Sequence, residues 1–297
     1  MSTGLTAKDF HPRILELYDA LAHGRITREA FLRDAAPHVA EGGSAEALLD
    51  SLAPDYGAAP QVAPDDPAIR TARIDYRSPE GHRTVSALLA RPAEADGPRP
   101  GVLVIHENRG LNPYIEDVAR RLAKAGYIAL APDGLSAEGG YPGNDDDGRE
   151  MQAALDQDKL RADFCAGYEV LRDHADTTSR TGALGFCWGG AMVNTLAVRY
   201  PDLSAGVAFY GRQPDPADVP RIEAPLLLHY AEADEKVNAG WPAYEAALKE
   251  HGKTYEAVMH PGVQHAFHND TTPRYDAVAA ERAWAQTLDF FARHLTE

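Results

Sequence analysis

Apolar positions change rhythm near residue 69 of this 297-residue chain. Before that point they recur at helical spacing. Ile14, Leu15, Leu17, Tyr18 and Leu21 crowd one face, and Thr27 opens a capping pattern ahead of Phe31 and Leu32. Ser44 is placed to cap a third short helix over Ala45 to Leu52. Ala53 to Pro67, rich in Pro, Ala and Asp, predicts an extended linker. Residues 1–67 are therefore expected to form a helical extension, too small to support its own core comfortably. It should pack on the main domain or build a homodimer.

From Ile69 the period shortens. Thr71–Tyr76 and Thr84–Ala90 alternate like the arms of a hairpin around Ser78–His82. Gly101–Ile105 and Tyr127–Ala131 are continuous apolar runs that suit strands buried on both faces. Further strands are expected at the approach to Phe186, at Ala205–Tyr210, Pro225–Tyr230 and Tyr255–Met259. Helical patterns separate them: Tyr114–Ala125, about Arg149 to Ala175, Ala191–Arg199, one between the last two strands and one at the end. Residues 68–297 thus predict an α/β domain, a mostly parallel sheet with helices on both faces, whose ligands bind beyond the carboxyl ends of the strands. The loop Asp133 to Asp147 contains an acidic run, Asp145–Asp147, without calcium-loop spacing, so it is read as a solvated lid and no metal is expected.

Charge narrows the partners. A formal charge of −16 disfavours nucleic acid and anionic membranes, and obliges any anionic substrate to find local arginines. Two cysteines make no disulfide framework, which points to a reducing, cytoplasmic compartment. Gly24–Leu32 has a faint twin-arginine look, but its arginines are not adjacent and no apolar run follows.

The chemistry concentrates in Thr181–Gly190. An apolar strand enters Gly185-Phe186-Cys187-Trp188-Gly189 and a helix follows, the pattern of a nucleophile elbow with cysteine where serine usually stands. The elbow sets Cys187 at a helix N-terminus, which favours its thiolate. The other cysteine, Cys165, sits beside Phe164 in a helical pattern and is assigned to the core. A nucleophile of this kind needs a base and an orienting carboxylate from later strand ends. Glu232, Asp234 and Glu235 compete for the carboxylate. His260, His265 and His268 compete for the base, with His265 favoured by its place between Pro261-Gly262 and Ala266-Phe267.

Taken together, Gly185–Gly190, Asp234, Gly262–Phe267 and Val104–Gly110 resemble the dienelactone hydrolase family of α/β-hydrolases over roughly residues 70–297. The resemblance selects Asp234 and implies hydrolysis of the enol-lactone ring of dienelactones in chlorocatechol breakdown, without a cofactor. Many relatives are known only as general esterases. It also implies that Glu107 contacts the resting thiol and helps form the thiolate, and that the backbone N–H groups of Asn108 and Trp188 build the oxyanion hole. The chain departs from the family four residues past His265, where Asn269 replaces an arginine that holds the substrate carboxylate. Arg109 and Arg212 lie on loops at the correct end of the sheet, and Arg274 is further along. The expected activity is hydrolysis of a small ester or lactone through an acyl-cysteine. The alternatives are a promiscuous small-ester or thioester hydrolase, and a non-catalytic relative that uses residues 1–67 as an interaction arm.

Overall fold

The computed structural model describes residues 4–296. Three helices open the chain: α1 (Pro12–Ala22), α2 (Arg28–Ala35) and α3 (Ala45–Leu52). Each begins on a side chain that accepts an otherwise orphan N–H: His11 from Arg13, Thr27 from Ala30 and Ser44 from Ala47. Contrary to the expectation from its size, the extension gathers its own apolar cluster. Phe10, Ile14, Leu17, Leu21, Phe31, Leu49 and Leu52 are all buried in it. Short connections fold the three amphipathic stripes onto one another, which spacing along a single helix does not reveal.

The linker after α3 is extended because its backbone bonds go outward. Asp55 N–H donates to the Thr271 carbonyl (2.7 Å), and the N–H groups of Gln61 and Val62 donate to the Asp117 carboxylate (3.1 and 2.9 Å). Arg120 Nε returns a bond to the Val62 carbonyl at 2.7 Å. Removing residues 1–60 should therefore lower the Tm by about 5–10 °C, the scale of two or three kcal/mol in a domain of this size. A melting curve that superimposes on the full chain would show that the extension adds nothing to stability.

Eight strands follow: β1 (Ile69–Ser78), β2 (Arg83–Pro92), β3 (Arg99–Ile105), β4 (Ile128–Pro132), β5 (Thr177–Phe186), β6 (Ala205–Phe209), β7 (Leu226–Ala231) and β8 (Tyr255–His260). They lie in the order β1-β2-β4-β3-β5-β6-β7-β8. The hairpin β1–β2 joins β4 antiparallel, and every pair from β4 to β8 is parallel. The helices between strands are α4 (Pro113–Lys124), α5 (Asp145–Ala154), α6 (Gln157–Arg172), α7 (Trp188–Arg199), α8 (Glu235–Asn238) and α9 (Trp241–Glu250), and α10 (Ala277–Phe291) follows the last strand. Alternate residues of the central strands feed opposite cores. Val102, Val104, Leu184 and Phe186 pack with α4 and α10, while Leu103, Ile105 and Ala183 pack with α6 and α7.

One expected helix is two. The acidic run is not a solvated loop but the first turn of α5, capped by Asn144, where the helix dipole favours carboxylates. The chain breaks after Ala154 and restarts at α6 because Asp156 accepts from the N–H groups of Asp158 and Lys159.

Candidate active site

Cys187 occupies the turn between β5 and α7 with φ 54° and ψ −111°, a conformation that costs a non-glycine residue roughly 1–3 kcal/mol. The strain holds because both flanks are locked. The Cys187 N–H donates to the Phe209 carbonyl at 3.0 Å. A Cβ on Gly185 would sit 2.1 Å from the Gly189 carbonyl oxygen, and one on Gly189 would sit 2.3 Å from that of Ile105. Only glycine fits either place. Trp188 is the first residue of α7, so its N–H has no partner within the helix.

The loop after β3 faces the elbow. Gly134 N–H donates to His106 Nε2 (2.9 Å), which places the His106 ring proton on Nδ1, directed at the Glu107 carbonyl (2.6 Å). The amide of Gln152 also donates to that carbonyl (3.3 Å) while its oxygen accepts from Gly110 N–H (3.0 Å). Burial holds His106 below the ordinary histidine range, so it stays a neutral pin. Glu107 is buried in the field of Arg109, Tyr114 and Tyr210. The hydrogen bond that the structure gives the thiol is to another residue.

His265 follows β8, and Asp234 follows β7 as the N-cap of α8. Their side chains meet at 2.5 Å, His265 Nδ1 to Asp234 Oδ2. Burial works against the Asp234 charge, but the His265 hydrogen bond, the His265 charge and the Val237 N–H together outweigh it and keep the carboxyl below the usual range. His265 Nε2 is buried and has no hydrogen-bond partner among the described residues. The rival histidines lie elsewhere. His260 bonds His229 (3.1 Å) and is pushed down to about 4 by burial; His268 bonds the Tyr114 hydroxyl (2.7 Å) and is pushed down to about 3. Glu232 accepts from Gly262 N–H, and Glu235 is exposed.

The substrate-binding candidates separate. Arg109 is ion-paired with Asp145 at 2.8 Å, and that carboxylate also accepts from the hydroxyls of Tyr56 and Tyr141. The pairing occupies the guanidinium, because α5 begins far enough back to bring Asp145 over it. Arg212 is exposed, and its backbone carbonyl accepts from Asn194. Asn269 is buried and builds a turn, its carbonyl accepting from the N–H and hydroxyl of Thr271. Arg274 differs from all of these. It is 4% exposed, stacks over the Tyr18 ring at 5.0 Å, and leaves Nε and Nη1 without a partner among the described residues. It lines a cavity of about 480 Å³ together with Asp19, Asp234 and His265. Cys165 is buried in α6, and burial pushes its thiol up.

The site holds one group that motif reading missed. His23, the C-cap of α1, directs Nε2 at Cys187 Sγ at 3.5 Å. Its Nδ1 donates to the Asp19 carbonyl (2.7 Å) and lies 3.1 Å from the Asp19 carboxylate, which Arg25 also holds. The donor atoms of His23, Cys187 and His265 all fall within 4.8 Å of one another. An Asp and a His four apart ahead of Gly24 were the available signal, but alone they mark a helix end.

A strand–elbow–helix on a mostly parallel sheet, with a strained cysteine at the turn, defines an α/β-hydrolase fold. The chain belongs to the dienelactone hydrolase family, whose sequence profile matches residues 85–295, and it is a carboxylic ester hydrolase. A YqhI-like profile matches residues 1–40. A candidate hydrolase fragment named YghX, from Escherichia coli strain K12, is 62% identical over 113 residues, 38% of this chain and 97% of the fragment. A candidate 2-oxo-3-(5-oxofuran-2-ylidene)propanoate lactonase of Bradyrhizobium sp. is 35% identical over 70% of this chain and 89% of its own length. Among solved structures, a candidate dienelactone hydrolase from Klebsiella pneumoniae subsp. pneumoniae MGH 78578 superimposes with a TM-score of 0.67 at 28% identity, over 76% of this chain and 99% of that one.

Proposed function

We propose that the protein hydrolyses a carboxylic ester or lactone of the dienelactone type through an acyl intermediate on Cys187. One observation carries the reading: the unpartnered Nε2 of a buried, Asp234-oriented His265 beside a strained cysteine at a helix N-terminus. Cys187 attacks the acyl carbon, and the developing oxyanion takes the backbone N–H groups of Asn108 and Trp188. Donors of this kind are worth about 3 kcal/mol each in comparable sites. His265 then draws a proton from water, which attacks the acyl carbon and frees the thiol. Glu107, buried in the loop after β3, is the family-implied residue for assisting thiolate formation. Two unpaired cysteines support work in the reducing cytoplasm.

Arg274 is the group we assign to an anionic substrate. Arg274 lines the His265 cavity, and its buried guanidinium keeps two donors unpartnered among the described residues, which suits a carboxylate beside the scissile bond. The relative named a lactonase has a substrate of that kind by its name. Replacing Arg274 by Ala should raise KM for an anionic lactone roughly 10–100-fold and leave a neutral ester nearly unaffected, the worth of one charged hydrogen-bond pair. Arg109→Ala should not discriminate between them. The test compares kcat/KM on cis and trans dienelactone and on a neutral p-nitrophenyl ester. Preference for the neutral ester would discard the anionic substrate, and equal losses on both in Arg274→Ala would remove that residue from recognition.

A further inference from the structure

We propose that His23, carried by the N-terminal extension and oriented by Asp19, is a second catalytic histidine: it holds Cys187 as a thiolate and protonates the leaving oxygen, while His265 serves the water. The inference rests on the Cys187 nucleophile proposed above.

The two histidines approach the thiol in the same manner from two different parts of the chain. Each is pinned through Nδ1, His23 by the carbonyl and carboxylate of Asp19 and His265 by Asp234, so each turns Nε2 inward. A ring pinned in this way has one defined tautomer and a fixed direction. The rings meet edge to face at 4.7 Å. Their roles differ because their Nε2 atoms differ: that of His23 lies on Sγ at 3.5 Å, whereas that of His265 has no partner. A proton shared by Sγ and His23 leaves the His265 lone pair available to water. The extension is anchored here by more than His23, since the Asn108 amide donates to the Ala22 carbonyl at 2.9 Å and Tyr18 stacks on Arg274. The family profile begins at residue 85, so the second pair comes from outside the part that the family shares.

The charged and titratable groups around the pair are Asp19 and Arg25 on the extension, Glu107 after β3, Tyr210 after β6, and Asp234, His265 and Arg274 after the last strands. Burial disfavours a charged His23, but the Cys187 charge and the Asp19 bond outweigh burial and His265, and raise its pKa. The imidazolium of His23 therefore persists to higher pH than that of an ordinary histidine, and it lies against Sγ at 3.5 Å.

The protons balance. The Cys187 thiolate forms the S–C bond as the acyl C–O bond breaks, and the leaving oxygen takes the proton from His23 Nε2. His265 Nε2 accepts a proton from water, hydroxide forms the new C–O bond, and the S–C bond breaks to return the thiolate. The product acid and His265 then release two protons, one to His23 and one to solvent.

The test is alkylation of Cys187 by iodoacetamide across pH, in buffer containing EDTA, followed by the mass of the Cys187 peptide. His23→Gln keeps a hydrogen-bonding side chain of similar length without the charge. It should move the reactivity midpoint up by a pH unit or more and slow alkylation near pH 6 about tenfold. His265→Gln should leave that midpoint in place while impairing hydrolysis. A His23→Gln profile that superimposes on the wild type, in a protein of unchanged melting temperature, would overturn the role of His23. Should His23→Gln not fold, Asp19→Asn is to give the same upward displacement, and an unchanged midpoint there counts equally against the proposal. Hydrolysis persisting in Cys187→Ala would instead sink the underlying nucleophile.

Discussion

Replacing Cys187 by Ala is expected to lower kcat/KM for every ester or lactone by on the order of 10⁴-fold or more, with little change in melting temperature. The size follows from what is removed. On the proposed mechanism, neither histidine then has a nucleophile to serve, and only the oxyanion donors and substrate binding are left, which in triad enzymes sustain a small residue of the rate. The fold should tolerate the change, because the backbone at residue 187 is held by its N–H bond to the Phe209 carbonyl and by its glycine neighbours, not by the sulfur. Turnover within tenfold of the wild type would mean that the elbow does not carry the reaction.

The second large effect is structural. In Gly189→Ala the new methyl would lie 2.3 Å from the Ile105 carbonyl oxygen and 2.6 Å from that of His106, and both obstacles are backbone. No rotamer change relieves such a contact. Either α7 or the loop after β3 must move, and that loop carries Asn108 opposite Trp188. We expect a loss of about 3 kcal/mol or more in stability, beyond the usual cost of overpacking, together with loss of hydrolysis. Thermal melting and ester turnover measured on the same preparation check both. A variant that melts and turns over like the wild type would show that the close approach at the elbow is not required.

What the chain reveals in advance is what its local rhythm controls. The elbow is legible because a strained cysteine needs small residues on both sides within five positions, and β3 and β4 are legible because strands covered on both faces read as unbroken apolar runs. The start of α5 was hidden by its own charge: Asp145–Asp147 resembles solvated loop unless Asn144 is recognised as a cap and the dipole is credited with stabilising the carboxylates. The assignment of the arginines was hidden for a different reason. Arg109, Arg212 and Arg274 are equivalent in sequence, and only tertiary structure pairs the first with Asp145, exposes the second and buries the third with free donors. Likewise nothing near His23 announces a contact with Cys187, 164 positions away. Docking of α1 over the sheet ends creates that contact, and a family pattern learned on the catalytic domain alone does not contain it.

The intermediate itself offers the most direct measurement. The protein is mixed with a p-nitrophenyl ester, quenched in acid within the first turnovers and digested, with His265→Ala run alongside to slow the water step. The mechanism predicts a mass increase equal to the acyl group on the peptide that carries Cys187, larger in His265→Ala. Steady turnover with no adduct on that peptide, surviving in Cys187→Ala, would contradict it.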